Sequence, residues 1–204
     1  RNTPKISFIM LFGLTLMTIG SMIYCLGVYD WNCDMFFFLF YVGQGMLIGG
    51  MISKNYRIYK IFKNTSATPV VIRDSRLFLI IGLITFYFCL LFLFAMLTGF
   101  GAYVYTSPSN SLYLYVECSF ESKFWTIFME TLVQCSSIFL RLIALIIALL
   151  TRKVSRSYSE SYQILIVLGI YVCIDITTVP LYFTLESGTD SAILRAVVKF
   201  IHIF

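Results

Sequence analysis

Long apolar runs are the feature that most limits how this chain can fold. A bilayer core of about 30 Å is crossed by roughly 20 apolar residues in an α-helix. Five runs of the sequence are that long, at residues 6–28, 35–59, 77–97, 124–150 and 162–185, and a sixth at 191–204 is truncated where the sequence stops. They are too long and too uniformly apolar for barrel strands, which alternate over about 10 residues. Hydrophobic residues make up 59% of the chain, so the sequence predicts an all-α membrane protein.

The distribution of cations predicts the direction of each span. Eleven Lys and Arg fall on one side of the runs, and only Lys123 lies in the loops of the other side. The eleven are Arg1, Lys5, Lys54, Arg57, Lys60, Lys63, Arg73, Arg76, Arg152, Lys153 and Arg156. Because cytoplasmic loops carry the excess of Lys and Arg, the first span should run outward. The sequon at Asn64 then faces the cytoplasm and should remain unglycosylated.

The outside loop between the third and fourth spans contains a turn cluster followed by "SLYLYVEC", in which Tyr and Leu alternate. Alternation over so few residues predicts a short strand or a hairpin. Two cysteines, Cys33 and Cys118, fall on this outside face, where an oxidising environment allows a disulfide. From the residues alone, a bridge between them remains an open alternative.

The stretch "ISKNYRIYKIFKN", residues 52–64, forms a basic collar after a run of nineteen uncharged residues. Its cations stand at every third position, at Lys54, Arg57, Lys60 and Lys63. At about 100° per residue, Lys54 shares a helix face with the apolar Ile58 and Ile61, whereas the later three turn away from it. Anchoring in lipid headgroups accounts for the later three. A cation on a packed face needs a carboxylate, and we expect Glu160, at the cytoplasmic end of another span, to supply it.

Several stretches carry a family resemblance. "SKNYRIYKIFKN" and "TRKVSRSYSES" resemble the inner ends of the third and sixth helices of class C G-protein-coupled receptors, the class of the metabotropic glutamate and GABA-B receptors. The family places a Lys 21 residues after a Cys in a K-x-x-R-x-x-x-I-F context, as in Cys33 and Lys54 here. "IFKNTSATPVVIRDSRLFLIIG" resembles the GABA-B link into the fourth helix, "VPLYF" the outer sixth helix, and "NTP" the S-S-P before the second helix. The sequence departs from the pattern at Phe36, where the family has Arg, and at Ser159, where it has Asn.

The resemblance implies a fold and a function. The fold is a seven-transmembrane-helix receptor bundle, of which this sequence covers the second helix into a truncated seventh, in one domain at residues 1–204. A first helix and an extracellular ligand-binding domain would lie outside it. The implied disulfide joins Cys33 to Cys118, and the implied inner ionic lock joins Lys54 to Glu160.

The resemblance also implies partners. A heterotrimeric G protein would meet the basic loops, formed by Arg57, Lys60, Lys63, Arg73, Arg76, Arg152, Lys153 and Arg156. The receptor would work as a homo- or heterodimer among membrane lipid, in the plasma membrane. It would bind no nucleic acid and need no cofactor.

Apart from the basic collar, five charged residues fall inside the predicted spans, at Glu130, Arg141, Asp175, Arg195 and Lys199. Charges inside a membrane usually face the bundle, and depth allows the pairs Glu130–Arg195 and Asp175–Lys199, while Arg141 stays unexplained. We favour internal ion pairs that fix packing. The alternative is a polytopic transporter using Asp175, Glu130 and Lys199, which would predict an inverted repeat or a broken mid-membrane helix.

Two further patterns bear on packing and chemistry. The glycines at residues 43–45 and 49–50 predict close approach between helices. The sequence has no CxxC pair, His/Glu cluster, nucleophile elbow or P-loop. We therefore expect neither a catalytic site nor a metal site, and a protein that is not an enzyme.

Overall fold

The structure is a computed structural model that describes residues 4–25, 29–63, 74–106, 114–151, 166–170, 172–174 and 177. Its elements follow the order α1 (Pro4–Cys25), α2 (Asp30–Lys63), α3 (Asp74–Leu97), β1 (Phe100–Thr106), β2 (Leu114–Phe120) and α4 (Lys123–Thr151). The described residues between 166 and 177 are also helical. The remainder of the predicted fifth span and the whole of the sixth lie outside the described residues.

Within the described part, four helices are long and apolar enough to cross a membrane, and they are α1 to α4. α2 extends beyond the predicted span at both ends, from Asp30 through the basic collar to Lys63. The extension has a simple cause, because a helix satisfies its own backbone hydrogen bonds whether it lies in lipid or at the interface. The collar up to Lys63 is therefore a continuation of the membrane helix, so Arg57, Lys60 and Lys63 lie in a helix rather than in the predicted loop.

α2 is the central element of the described bundle. Every residue from Ile48 to Ser53 is buried, as expected of a helix that is surrounded by other helices. α2 packs against α1, α3 and α4. The main core cluster contains Tyr41, Ile48, Met51 and Ile52 from α2, Phe88 and Leu91 from α3, Val133 and Ala144 from α4, and Leu168. Lipid-facing positions are accordingly concentrated on the outer helices, where Phe8, Leu79 and Phe139 are exposed.

Glycines set the distance between α2 and its neighbours. A Cβ added at Gly43 would lie 2.5 Å from the carbonyl oxygen of Gly13 in α1, and one added at Gly45 would lie 2.7 Å from Cα of Thr85 in α3. Real Cβ atoms do not approach backbone this closely, so only glycine permits these crossings. The predicted close approach at these glycines is confirmed.

The predicted strand is one half of a hairpin. β1 and β2 pair antiparallel, with Phe100 opposite Phe120, Ala102 opposite Cys118 and Thr106 opposite Leu114. Phe100 and Phe120 are buried, and their rings meet at a centroid distance of 5.1 Å. Together with Cys33 and Ala95 they form a second cluster at one end of the bundle.

Candidate functional site

The helix contacts define two ends of the bundle. α1 runs antiparallel to α2, since Met10 contacts Gly50 whereas Gly20 lies against Leu39. α3 is also antiparallel to α2, because Ser53 contacts Leu77 while Gly45 contacts Thr85. We call the end where α2 finishes and α3 begins the basic end. The opposite end, which carries β1 and β2, is the hairpin end.

Five cations whose side chains are described lie towards the basic end: Lys5, Lys54, Arg57, Lys60 and Arg76. Lys5 and Arg76 are exposed, whereas Lys54, Arg57 and Lys60 are partly buried. This end is therefore both cationic and packed. A surface of this kind can engage an acidic partner or lipid phosphates by charge.

Two polar side chains of α2 fasten its neighbours at the basic end. Ser53 donates its hydroxyl to the carbonyl oxygen of Leu77 in α3 at 3.1 Å, and Asn55 donates Nδ2–H to the carbonyl oxygen of Ala144 in α4 at 3.2 Å. Both side chains are fully buried. A carbonyl already bonded within its helix has a second lone pair, so neither contact disrupts the helix that receives it.

An ion pair also joins α2 to α3 here. Nη1 of Arg57 lies 3.8 Å from Oδ1 of Asp74, a charge contact rather than a hydrogen bond. Asp74 stands in the first turn of α3, where a negative charge also interacts favourably with the helix dipole. Asp74 is therefore an acidic partner of the basic collar that the sequence analysis did not predict. Close by, Nζ of Lys60 lies 5.9 Å from the ring centroid of Tyr56.

Lys54, the cation predicted to share a helix face with apolar residues, is partly buried next to the fully buried Ser53 and Asn55. Ile61, which was placed on the same face, is 44% exposed. Glu160 is outside the described residues, so the Lys54–Glu160 lock stays a prediction. The other predicted basic-loop residues Arg73, Arg152, Lys153 and Arg156 are outside as well, and so is the side chain of Lys63.

A second polar contact crosses the middle of the bundle. Gln44 donates Nε2–H to Oγ of Ser137 in α4 at 2.8 Å, and the two residues are 3% and 1% exposed. One turn further along α4, Arg141 is buried too. Glu130 is partly buried, and both it and Arg141 take part in an interaction. Asp175, Arg195 and Lys199 lie outside the described residues, so the predicted ion pairs Glu130–Arg195 and Asp175–Lys199 stay predictions.

The hairpin end is fastened covalently. The structure contains a disulfide between Cys33 of α2 and Cys118 of β2, with Cα atoms 5.6 Å apart. Oδ1 of Asp30, at the start of α2, accepts a hydrogen bond from the backbone amide of Ala102 in β1 at 2.8 Å. Each strand of the hairpin is therefore held to α2 by its own contact.

The sequence contains a signal for the polar contacts of α2. At about 100° per residue, Gln44, Ile48 and Asn55 lie within about 40° of one another on α2. A polar residue repeating on an apolar face inside a span indicates a partner on a neighbouring helix. What the sequence did not contain was the identity of that helix.

No group of three or more His, Cys, Asp or Glu is placed to hold a metal ion within the described ranges. Ser53 and Asn55 at the basic end and Asp30 at the hairpin end instead make hydrogen bonds to backbone groups. The arrangement can hold and release helices and can attract anionic groups.

The chain is similar to known receptors. The family described as "7 transmembrane sweet-taste receptor of 3 GCPR" matches residues 1–204. The chain is 32% identical over 111 residues to the metabotropic glutamate receptor-like protein M of Dictyostelium discoideum, which covers 50% of the chain and 14% of that protein. It is 29% identical over 100 residues to protein N of the same organism, covering 48% of the chain and 11% of that protein.

A third relative is the gamma-aminobutyric acid type B receptor subunit 2 of Caenorhabditis elegans. The identity is 32% over 82 residues, which is 40% of the chain and 10% of that protein. The matched segments thus span about a seventh or less of the length of each relative.

Proposed function

The chain belongs to the seven-transmembrane family of class C G-protein-coupled receptors, and from this premise we propose that it relays ligand binding outside the membrane to a G protein inside. In this proposal the basic end faces the cytoplasm and the hairpin end faces outward. The ligand binds a separate extracellular domain of the full-length protein. The protein works as a homo- or heterodimer in the plasma membrane.

The family match over residues 1–204 is the observation that carries the proposal. The distribution of charge supports the orientation, because cations collect at the basic end whereas Asp30 and Glu121 lie at the hairpin end. Cytoplasmic faces of membrane proteins carry the excess of Lys and Arg. The disulfide between Cys33 and Cys118 supports the same orientation, since disulfides persist on the oxidising side.

The proposed relay uses two packings of the bundle. In the closed packing Lys54 pairs with Glu160, and the basic end is held shut. Ligand binding favours a second packing in which these helices separate and the basic loops meet the G protein. Such a shift needs only a difference in free energy between the two packings that the ligand can supply.

The transporter alternative gains no support from the known relatives, which are named as receptors. It would use Asp175 and Lys199, outside the described residues, together with Glu130. Nothing in the described part of the bundle favours it.

Nucleotide exchange tests the proposed function. The full-length protein is expressed in cells together with one Gα class at a time, and guanine nucleotide exchange is measured in their membranes. We expect exchange above that of untransfected membranes with at least one Gα class. Equal exchange with every class, for wild type and for Lys54→Ala at verified surface expression, would overturn the proposal.

A further inference from the structure

Two amide side chains of α2 reach across to α4, and we infer that they form a releasable latch that keeps the basic end of the bundle closed. The latch consists of Gln44 bonded to Ser137 and Asn55 bonded to the carbonyl of Ala144. The inference rests on the proposed function, because it names the contact that regulates the same basic end. It concerns α2 and α4, whereas the predicted ionic lock joins α2 to the helix that follows Glu160.

The two contacts follow one another along the same pair of helices. We call Gln44–Ser137 the upper rung and Asn55–Ala144 the lower rung. Gln44 and Asn55 are three helical turns apart, so they project from the same side of α2. Their partners follow in the same direction along α4, from Ser137 to Ala144, because these two helices run parallel. The upper rung therefore lies near mid-bundle and the lower rung near the basic end. A separation of the two helices at the basic end would break the lower rung first.

In each rung the amide nitrogen is hydrogen-bonded but the amide oxygen is not, which makes the latch releasable. The side-chain oxygens Oε1 of Gln44 and Oδ1 of Asn55 are buried and have no hydrogen-bond partner in the described part of the structure. A buried acceptor without a partner costs free energy. The orphan oxygen therefore reduces, without cancelling, what each amide donor contributes to the closed packing. A packing that exposed these oxygens to water or to another donor would recover that cost.

The hydrogen bond from Ser53 and the disulfide of α2 do not share this property. Ser53 has a single hydroxyl, which it donates to Leu77 of α3. At the hairpin end α2 is fixed by the disulfide from Cys33. The structure therefore assigns the freedom to open to the α2–α4 contact at the basic end, with the hairpin end as the fixed point.

Distances between spin labels test the latch directly. One label pair, Ile61→Cys and Leu150→Cys, reports on α2 and α4 at the basic end, and a second, Trp31→Cys and Phe124→Cys, reports on the hairpin end. All four sites are exposed, at 44%, 59%, 66% and 67%. The background protein has Cys25, Cys89, Cys135 and Cys173 replaced by Ala and keeps the disulfide. Double electron–electron resonance is measured on the full-length protein in lipid nanodiscs.

Gln44→Met and Asn55→Leu, which keep the approximate size and remove the amide, should each raise the population of longer distances at the basic end. The expected factor is about three, the average effect of one hydrogen bond between membrane helices. Ser137→Ala should open the basic end at least as far as Gln44→Met, because it leaves the buried amide nitrogen of Gln44 without its acceptor. Adding Ser137→Ala to Gln44→Met should have little further effect, because the contact is already lost. Ser53→Ala should leave the α2–α4 distance unchanged, and the hairpin-end pair should not move in any variant.

Identical basic-end distances in wild type and in all three latch variants would overturn the inference. An equal shift of both label pairs would also overturn it, since that result describes general loosening. Basal nucleotide exchange is measured on the same variants, with the exposed Gly82→Ala as a control. If distances shift but no variant activates any Gα class, the proposed function fails while the latch stands. If wild type activates a Gα class but distances do not shift, the latch fails alone.

Discussion

The two ends of the bundle are held by different kinds of bond. At the hairpin end α2 is fixed to β2 through Cys33–Cys118 and to β1 through Asp30, and aromatic rings fill the space between. At the basic end the same helix is held through side-chain hydrogen bonds from Ser53 and Asn55 and a half-exposed ion pair. A covalent bond persists through a change of packing, whereas a single hydrogen bond contributes only about 1 kcal/mol. If the bundle changes packing as proposed, this difference predicts that it pivots at the hairpin end and opens at the basic end.

The largest expected effect comes from breaking the covalent end. Cys33→Ser and Cys118→Ser should each destabilise the protein by about 2–4 kcal/mol, because the bond closes a loop of 85 residues in sequence separation. Both variants should lose surface expression, and the double variant should lose no more than either alone. Thermal unfolding in detergent and surface labelling measure this.

Cys135→Ser is the matched control, since Cys135 is a free, exposed cysteine. It should behave as wild type. If Cys33→Ser and Cys135→Ser had the same melting temperature, the hairpin end would not be the fixed end of the comparison.

A substitution in the middle of the bundle should cost an amount of stability between those expected at the two ends. Gly45→Ala places a methyl group against the backbone of Thr85, which cannot move aside like a side chain. Such overpacking costs about 1–3 kcal/mol. Gly82→Ala makes the same chemical change in α3, where nothing lies within 4 Å. We expect a lower melting temperature for the first and no decrease for the second. Equal melting temperatures would contradict the close crossing of α2 and α3.

The smallest expected effect belongs to the ion pair at the basic end. Asp74 is 52% exposed and its oxygen is 3.8 Å from Arg57, so water screens the attraction. A double-mutant cycle with Arg57→Gln and Asp74→Asn should give a coupling free energy of about 0.2–1 kcal/mol, measured by thermal unfolding. A coupling well above this range would mean that the basic end is fastened more firmly than the account allows.

Much of the fold could be predicted because its signals are local. The length of the apolar runs predicted α1 to α4, and the alternation in "SLYLYVEC" predicted β2 and its hairpin. The contacts of Gln44 and Asn55 could not be predicted in the same way, because their partners depend on how α2 and α4 are rotated and displaced against each other. Depth in the membrane supplies one coordinate of a residue and periodicity supplies its side of the helix. Neither states which neighbouring helix lies on that side.

The same limit applies to the cations. Periodicity separated Lys54 from Arg57, yet it did not show that Arg57 would meet Asp74 of α3. Close approach between helices was easier to predict, because a glycine inside a span has no side chain to keep a neighbouring helix away. Gly43 and Gly45 show this. The resemblance to class C receptors added the disulfide partner, which spacing alone had left open.

The most direct test of the account asks whether the basic end restrains signalling through Lys54 and Glu160. Basal nucleotide exchange is measured at equal surface expression for Lys54→Ala, for Glu160→Ala and for the variant with both. It is also measured for the charge-swapped pair, Lys54→Glu with Glu160→Lys. A partly exposed pair contributes about 0.2–1 kcal/mol, which changes a two-state balance up to severalfold. The account predicts higher basal exchange in each single variant, no further rise in the double variant and partial recovery in the charge-swapped pair. A coupling energy of zero between the two residues would contradict it and leave Lys54 as a cation that anchors α2 in lipid headgroups.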